Sequence, residues 1–175
     1  MSKVPTRENF NFRSAYLIPR LDNKQELAVN MLRELANFQF YPGAGKFLFP
    51  NGVVLKYSKY LGRPRGVYLC GSLIATIGPK TGLLILTKDG GELLKRGIPP
   101  PRLRVIITKD AEVKVREGMS VFSKFVIDID PELRAGDEVL VTNEDDVLIA
   151  TGKLMLAPQE ARYFQRGVVV KIRNH

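Results

Sequence analysis

Lys56, Lys59, Arg63 and Arg65, interleaved with Tyr57 and Tyr60, form the best basic cluster of this chain. Cations at such spacing neutralise phosphates and give affinity without sequence specificity, and an adjacent tyrosine can stack on an unpaired base. A strand would set residues 57 and 59 on one face and 56 and 58 on the other, so only the following turn can gather Lys59, Arg63 and Arg65 into one patch. A solvated sheet surface with tyrosines in its core would carry the same residue types.

Covalent and metal chemistry find little support. Cys70 is the only cysteine, which rules out an intrachain disulfide, and the only histidine is His175 at the last position. A cysteine nucleophile needs a base beside it, and a zinc site needs more thiol or imidazole ligands than the sequence holds. Cys70 closes the strand-like run Val67–Cys70, where the expected role is that of a small buried hydrophobe. No catalytic residue, cofactor or metal is expected.

The elements that must hold the cluster follow from composition and spacing. The 175 residues, 45% of them hydrophobic, suffice for one ordinary domain or two small ones. No apolar run exceeds four residues and the start, Met-Ser-Lys-Val-Pro, has no signal-like apolar segment, so a soluble, cytoplasmic protein without membrane contact is expected. The net charge of +9 is uneven: residues 1–101 carry 15 Lys+Arg against 6 Asp+Glu, and residues 102–175 carry 12 against 12. A polyanion would therefore meet the first half, although a basic solvated surface would have the same balance.

Gly97-Ile98-Pro99-Pro100-Pro101 can neither continue a helix nor donate strand hydrogen bonds, and the charge break falls at the same place. Two domains are expected, 1–98 and 102–175. In the first, Leu27, Met31, Leu35 and Phe38 recur at helical spacing behind an Asn23/Glu26 capping pair, predicting a helix over about 24–37. Strands are predicted at Lys46–Phe49, Val53–Ser58, Gly66–Cys70, Leu73–Ile77 and Leu83–Leu86, and a helix capped by Thr87 runs through Lys95 despite Gly90-Gly91. Residues 1–20, with Phe10 and Phe12, lack a period and read as an arm. In the second domain, Arg104–Thr108, Glu112–Val115, Phe125–Ile129, Glu138–Thr142, Val147–Leu156 and Val168–Arg173 favour β-branched residues, and only Pro158–Gln165 reads as a full helix. The fold class is α+β: a small α+β domain followed by a six-stranded, closed or nearly closed barrel.

The segment Gly118-Met119-Ser120-Val121-Phe122-Ser123-Lys124-Phe125-Val126, the turn from Asp130 to Asp137, and the terminal Arg166-Gly167-Val168-Val169-Val170-Lys171-Ile172-Arg173 resemble the PUA domain, a small RNA-binding β-barrel, from about Arg102 to Arg173. The resemblance implies that RNA lies across a glycine-led short helix and the last strand, here Gly118, Met119, Ser120, Lys124, Arg166, Gly167 and Val168. Glycine permits close approach to backbone, amides at a helix start favour phosphate, and Met119 offers a soft apolar surface. Val121, Phe122 and Phe125 have the spacing of core. The Asp130–Asp137 turn lacks EF-hand spacing and is structural in PUA domains, and Glu144-Asp145-Asp146 reads as a solvated hairpin tip.

The series Gly43-Ala44-Gly45, Leu48-Phe49-Pro50, Ser58-Lys59, Gly62-Arg63-Pro64-Arg65, Ala75-Thr76, Gly82-Leu83 and Thr87–Leu93 resembles the small domain before PUA in archaeal tRNA-guanine transglycosylases and the related archaeosine synthases. In that family a branched apolar residue is usual where Pro64 stands, and proline stiffens the turn. The family's catalytic part is a (β/α)8 barrel of roughly 250 residues, too large to fit here. The resemblance thus implies a non-catalytic RNA-binding protein whose partners are RNA, tRNA above all, at its acceptor stem and 3′ end. It would serve as an accessory or split subunit beside a separate transglycosylase-type catalytic chain. The alternative is a ribosome-biogenesis or translation-associated RNA-binding factor, since PUA barrels serve there too.

Overall fold

A computed structural model describes residues 23–60, 62–164 and 166–173. The expected arm at 1–20 lies outside the described residues. In the first half, α1 (Asn23–Gln39) and α2 (Ala44–Leu48) precede a meander of β1 (Val54–Tyr57), β2 (Pro64–Leu69), β3 (Ser72–Ile77) and β4 (Leu84–Leu86), followed by α3 (Lys88–Gly97). The four strands are hydrogen-bonded in chain order. Leu55, Val67, Ala75 and Leu86 stand in register on the buried face of that sheet.

α1 forms where the spacing predicts it, but a different stripe faces the core. Val29, Leu32 and Ala36 are buried, whereas Leu27, Met31 and Phe38 are 63%, 66% and 85% exposed, and Leu35 is partly buried. Two adjacent apolar arcs run along this helix, and packing selects the one with the smaller side chains because α2 crosses it closely. At the crossing Gly45 lies against the Arg33 backbone, where a Cβ has no room, and its N–H donates to Asn37 Oδ1 at 2.8 Å. That contact also explains why 46–49, predicted as strand, belongs to a helical turn: Gly43 turns at φ +90° and α1 anchors the next residues.

Thr87 caps α3 as expected, its Oγ1 accepting from the Gly90 N–H at 3.2 Å and donating to Leu73 O at 2.7 Å. The two glycines that weaken the helix on propensity are there for packing. Gly90 sits on the Ile74 carbonyl, and a Cβ on Gly91 would stand 2.6 Å from Thr151 Cγ2 in the second half. Thr151 Oγ1 also donates to Leu86 O at 3.0 Å, so the two sheets meet across α3. Cys70 is exposed in the β2–β3 turn at φ +49° and is not the buried hydrophobe expected. The turn requires a left-handed residue there and points the thiol outward.

The second half runs β5 (Arg104–Ile107), α4 (Lys109–Arg116), β6 (Val121–Phe122), a 3-10 turn (Ser123–Phe125), β7 (Val126–Ile129), β8 (Glu138–Thr142), β9 (Leu148–Leu154), α5 (Pro158–Tyr163) and β10 (Val168–Ile172). Strand order is β6-β10-β9-β8-β5-β7, with β5 and β8 parallel and every other pair antiparallel. The end strands β6 and β7 are joined by the 3-10 turn, giving a barrel-like sheet around Val105, Val121, Leu140, Leu154 and Val169. The strand predicted at Glu112–Val115 is instead part of α4. Val113 and Val115 alternate as in a strand, yet Val113 is 66% exposed and burial falls on Ala111 and Val115, four apart. In α5, Pro158 occupies the first turn and Glu160 Oε2 accepts from the Ala157 N–H at 2.9 Å.

Asp146 is not a solvated tip residue. It binds Arg104 Nε at 3.0 Å and Lys95 Nζ at 3.2 Å, while the Arg104 side chain is 1% exposed. Within the Asp130–Asp137 turn, Asp130 accepts from the Glu132 N–H and Asp137 Oδ2 from that of Arg134, and Asp130 also accepts from the Leu103 N–H, tying the turn to the start of β5. Among the described residues no helix is long and apolar enough to cross a membrane.

Candidate nucleic-acid interface

Two surfaces emerge from the residues singled out in the sequence. The first is the β1–β2 hairpin end. Leu55 pairs with Val67 and Lys56 with Gly66, after which the register shifts and Arg65 becomes an extra residue on β2. The Ser58 N–H donates to Arg63 O at 2.8 Å and the Gly62 N–H to Ser58 O at 3.0 Å, closing the turn. Lys59, Arg63 and Arg65 are all exposed on this end, and none has an ion-pair partner among the described residues. Lys56 lies on the open face of the sheet, its Nζ 4.2 Å from the centre of the Tyr68 ring. Tyr57 packs against the core, whereas Tyr60 is 97% exposed and free to stack.

The second surface is built where α4 ends. Gly118, at φ +92°, donates to Val115 O and Met119 to Lys114 O, both at 3.0 Å. This is a Schellman motif, which requires the left-handed conformation that glycine adopts without strain. The expectation of a glycine-led helix with free amides is therefore corrected. A full helix precedes Gly118, only a single 3-10 turn follows, and the amides of 118 and 119 are taken by helix carbonyls. A helix C-terminus carries partial negative charge, so a phosphate here must be met by side chains.

Those side chains are present. Lys114, Met119, Ser120, Phe122 and Lys124 line a shallow cavity of about 230 Å³ floored by Ala111, Val115 and Phe125. Met119 is 50% exposed, and Lys124 Nζ stands 4.7 Å from the Phe125 ring centre. Val121 is core as expected, Phe125 is partly buried against the core, and Phe122 is 40% exposed and forms part of the wall. Sequence reasoning missed Lys114, because it lay in a segment read as strand; helical spacing from Lys114 to Gly118 would have found it.

The late segment joins this surface through the sheet. Val168 pairs with Phe122 and Val170 with Val121, and Gly167 O accepts from the Ser123 N–H at 3.0 Å and from Ser123 Oγ at 3.3 Å. Gly118–Lys124 and Arg166–Val168, some fifty residues apart in sequence, are thus neighbours, with Arg166 exposed. The hairpin end belongs to the other sheet, so the eleven sequence-derived residues form two groups and not one continuous site.

The barrel and the meander before it correspond to two known domains. Residues 103–175 match the family model of the PUA domain, and residues 30–101 match that of the patch-forming domain C2 of tRNA-guanine transglycosylase. The chain therefore carries both domains in that order, and in sequence it resembles the C-terminal region of archaeal tRNA-guanine(15) transglycosylases. It is 40% identical over 146 residues to that of Methanothermobacter thermautotrophicus, covering 83% of this chain and 22% of the relative. The Thermococcus kodakarensis protein is 42% identical over 140 residues, covering 80% and 24%. The chain thus spans about a quarter or less of the length of these relatives. Among solved structures, a hypothetical protein from Pyrococcus horikoshii superposes with a TM-score of 0.67 at 16% identity, over 86% of this chain and 90% of that one. A PUA domain from Aeropyrum pernix gives 0.62 at 13% identity, over 89% and 83%. These likenesses establish the shared fold.

Proposed function

We propose that this chain binds tRNA without acting on it chemically, as an accessory or split subunit in tRNA base modification. Residues 1–98 and 102–175 act as two domains of one cytoplasmic RNA-binding unit. The basic hairpin end of Lys59, Arg63 and Arg65 attracts the phosphate backbone over distance, with Lys56 beside it. The cavity at Met119 and Ser120 takes a nucleotide near the 3′ end, with Lys114, Lys124 and Arg166 facing its phosphates and Gly167-Val168 forming the adjoining strand edge. Binding energy gathered in this way offsets the roughly few kcal/mol needed to draw a base from its stack, so that a separate catalytic chain can reach it.

The observation that carries this reading is the β6–β10 pairing, which sets Val168 against Phe122, a wall residue of the cavity that also holds two lysines and a half-exposed methionine. The relatives, named for transglycosylation of tRNA, support the choice of RNA. Fluorescence anisotropy at fixed salt tests it: the chain should bind an unmodified tRNA transcript more tightly than a duplex DNA of equal length. Equal affinity would sink the proposal. Incubation with that tRNA and labelled guanine should give no exchange, and turnover would overturn the non-catalytic assignment.

A further inference from the structure

We infer that the Leu27–Met31–Phe38 face of α1 docks a second protein chain, the transglycosylase-type catalytic subunit; the inference rests on the split-subunit reading above. The three side chains stand at i, i+4 and i+11 on one side of the helix and are 63%, 66% and 85% exposed. A stripe of large apolar residues left in water along three turns marks a contact surface more often than scattered single exposures do. No described residue covers it.

Charge separates a protein occupant from RNA. The first half as a whole carries +9, but α1 has two basic residues, Lys24 and Arg33, balanced by Glu26 and Glu34. The Arg33 guanidinium is turned inward, donating to Phe49 O at 2.9 Å and to the side-chain oxygens of Asn51 and Asn30. On the outward side of α1 a phosphate backbone would meet Glu34 among the apolar side chains and, of the two cations of this helix, only Lys24, whereas an apolar protein face would find Leu27, Met31 and Phe38 in line.

Position selects which protein. The shared region begins near residue 30 and matches the C-terminal part of the transglycosylases, whose chains are four to five times as long as the matched stretch. Because the match begins near residue 30, within α1, the sequence that precedes it in those relatives would join at this helix. A catalytic chain supplied separately would meet the same helix, and the apolar stripe lies there.

Immobilised full-length chain, exposed to RNase-treated extract of its source cells, tests the inference. Wild type should retain a chain matching the sequence that precedes the shared region in the transglycosylases. The triple variant Leu27→Glu/Met31→Glu/Phe38→Glu should retain roughly tenfold less, and Arg63→Glu/Arg65→Glu should retain it in full. Equal retention by the triple variant overturns the docking face and leaves the split-subunit reading standing. Failure of wild type to retain such a chain removes that reading and the inference with it. A wild-type dimer in sedimentation that the triple variant abolishes, or stronger retention once residues 1–22 are deleted, makes a second copy or the chain's own start the occupant and also overturns it. Should the triple variant not fold, Met31→Glu alone gives the same discrimination.

Discussion

The Arg104 guanidinium and the Asp146 carboxylate stand 3.0 Å apart within the second half, and each also holds a group at the end of α3 in the first. Arg104 opens β5, and Asp146 sits at φ +54° in the β8–β9 turn. The same guanidinium donates to Ile98 O at 2.9 Å, just past the end of α3, and to Arg102 O at 2.8 Å. A cation at a helix C-terminus satisfies carbonyls that have no partner within the helix. Lys95, in the last turn of α3, reaches the other Asp146 oxygen at 3.2 Å.

Asp146→Asn should weaken that junction while leaving Arg104 buried. Hydrogen bonds to charged groups are worth about 1.5–3 kcal/mol, and partial exposure of Asp146 favours the lower end. A urea midpoint unchanged by the substitution would show the pair to be inert. Partial burial acts to raise the Asp146 carboxyl, but the hydrogen bonds and charges of Arg104 and Lys95 outweigh it and hold the group below the usual carboxylate value. A depressed carboxyl contributes stability that is present above its unfolded-state value, near pH 4, and is lost as pH falls through the folded-state value. The acid limb of the wild-type stability profile should therefore be steeper than that of Asp146→Asn.

Helix α1 offers a contrast of faces. Leu32→Ala removes a buried side chain and should cost about 2–4 kcal/mol. Leu27→Ala and Met31→Ala, on the exposed stripe, should each stay within about 0.5 kcal/mol in the isolated chain. Denaturant midpoints measured side by side would refute the observed packing if the two classes changed places.

Charge reversal at Arg63 and Arg65 should weaken tRNA binding and flatten its salt dependence, by roughly 0.7–0.9 in log–log slope for each phosphate no longer neutralised. Lys114→Glu and Lys124→Glu should act likewise from the barrel side. Unchanged affinity at fixed salt for either pair would remove that surface from the RNA path.

Gly118→Ala places a β-carbon at φ +92° and should cost roughly 1–2 kcal/mol, or roughly 2–4 °C in Tm per kcal/mol. Because the Gly118 and Met119 amides serve the helix, the folded fraction should bind RNA as before. Met119→Ala should do the opposite, lowering affinity with little change in Tm. Loss of affinity in fully folded Gly118→Ala would return the glycine to the binding surface.

Local features were legible before any coordinates. Glycine and proline punctuation marked the hairpins, Thr87 announced α3, and the order of short motifs resembled a PUA-type barrel behind the small domain that precedes it in the transglycosylases, because such signals act within a few residues. Periodicity also located α1, but it could not choose between the arcs Leu27/Met31/Phe38 and Val29/Leu32/Ala36, since both repeat at helical spacing. That choice belongs to α2 and the sheet. The alternation of Val113 and Val115 imitated a strand until burial of Ala111 and Val115 made α4 a helix, and with it came Lys114. Asp146 read as a solvent-facing acid because its partner lies 42 positions earlier. Composition and spacing thus determined which elements exist and what class of ligand they suit. Which faces are covered, which charges are paired and which segments share one surface depended on contacts distant in sequence, and only the tertiary structure brings those atoms within reach.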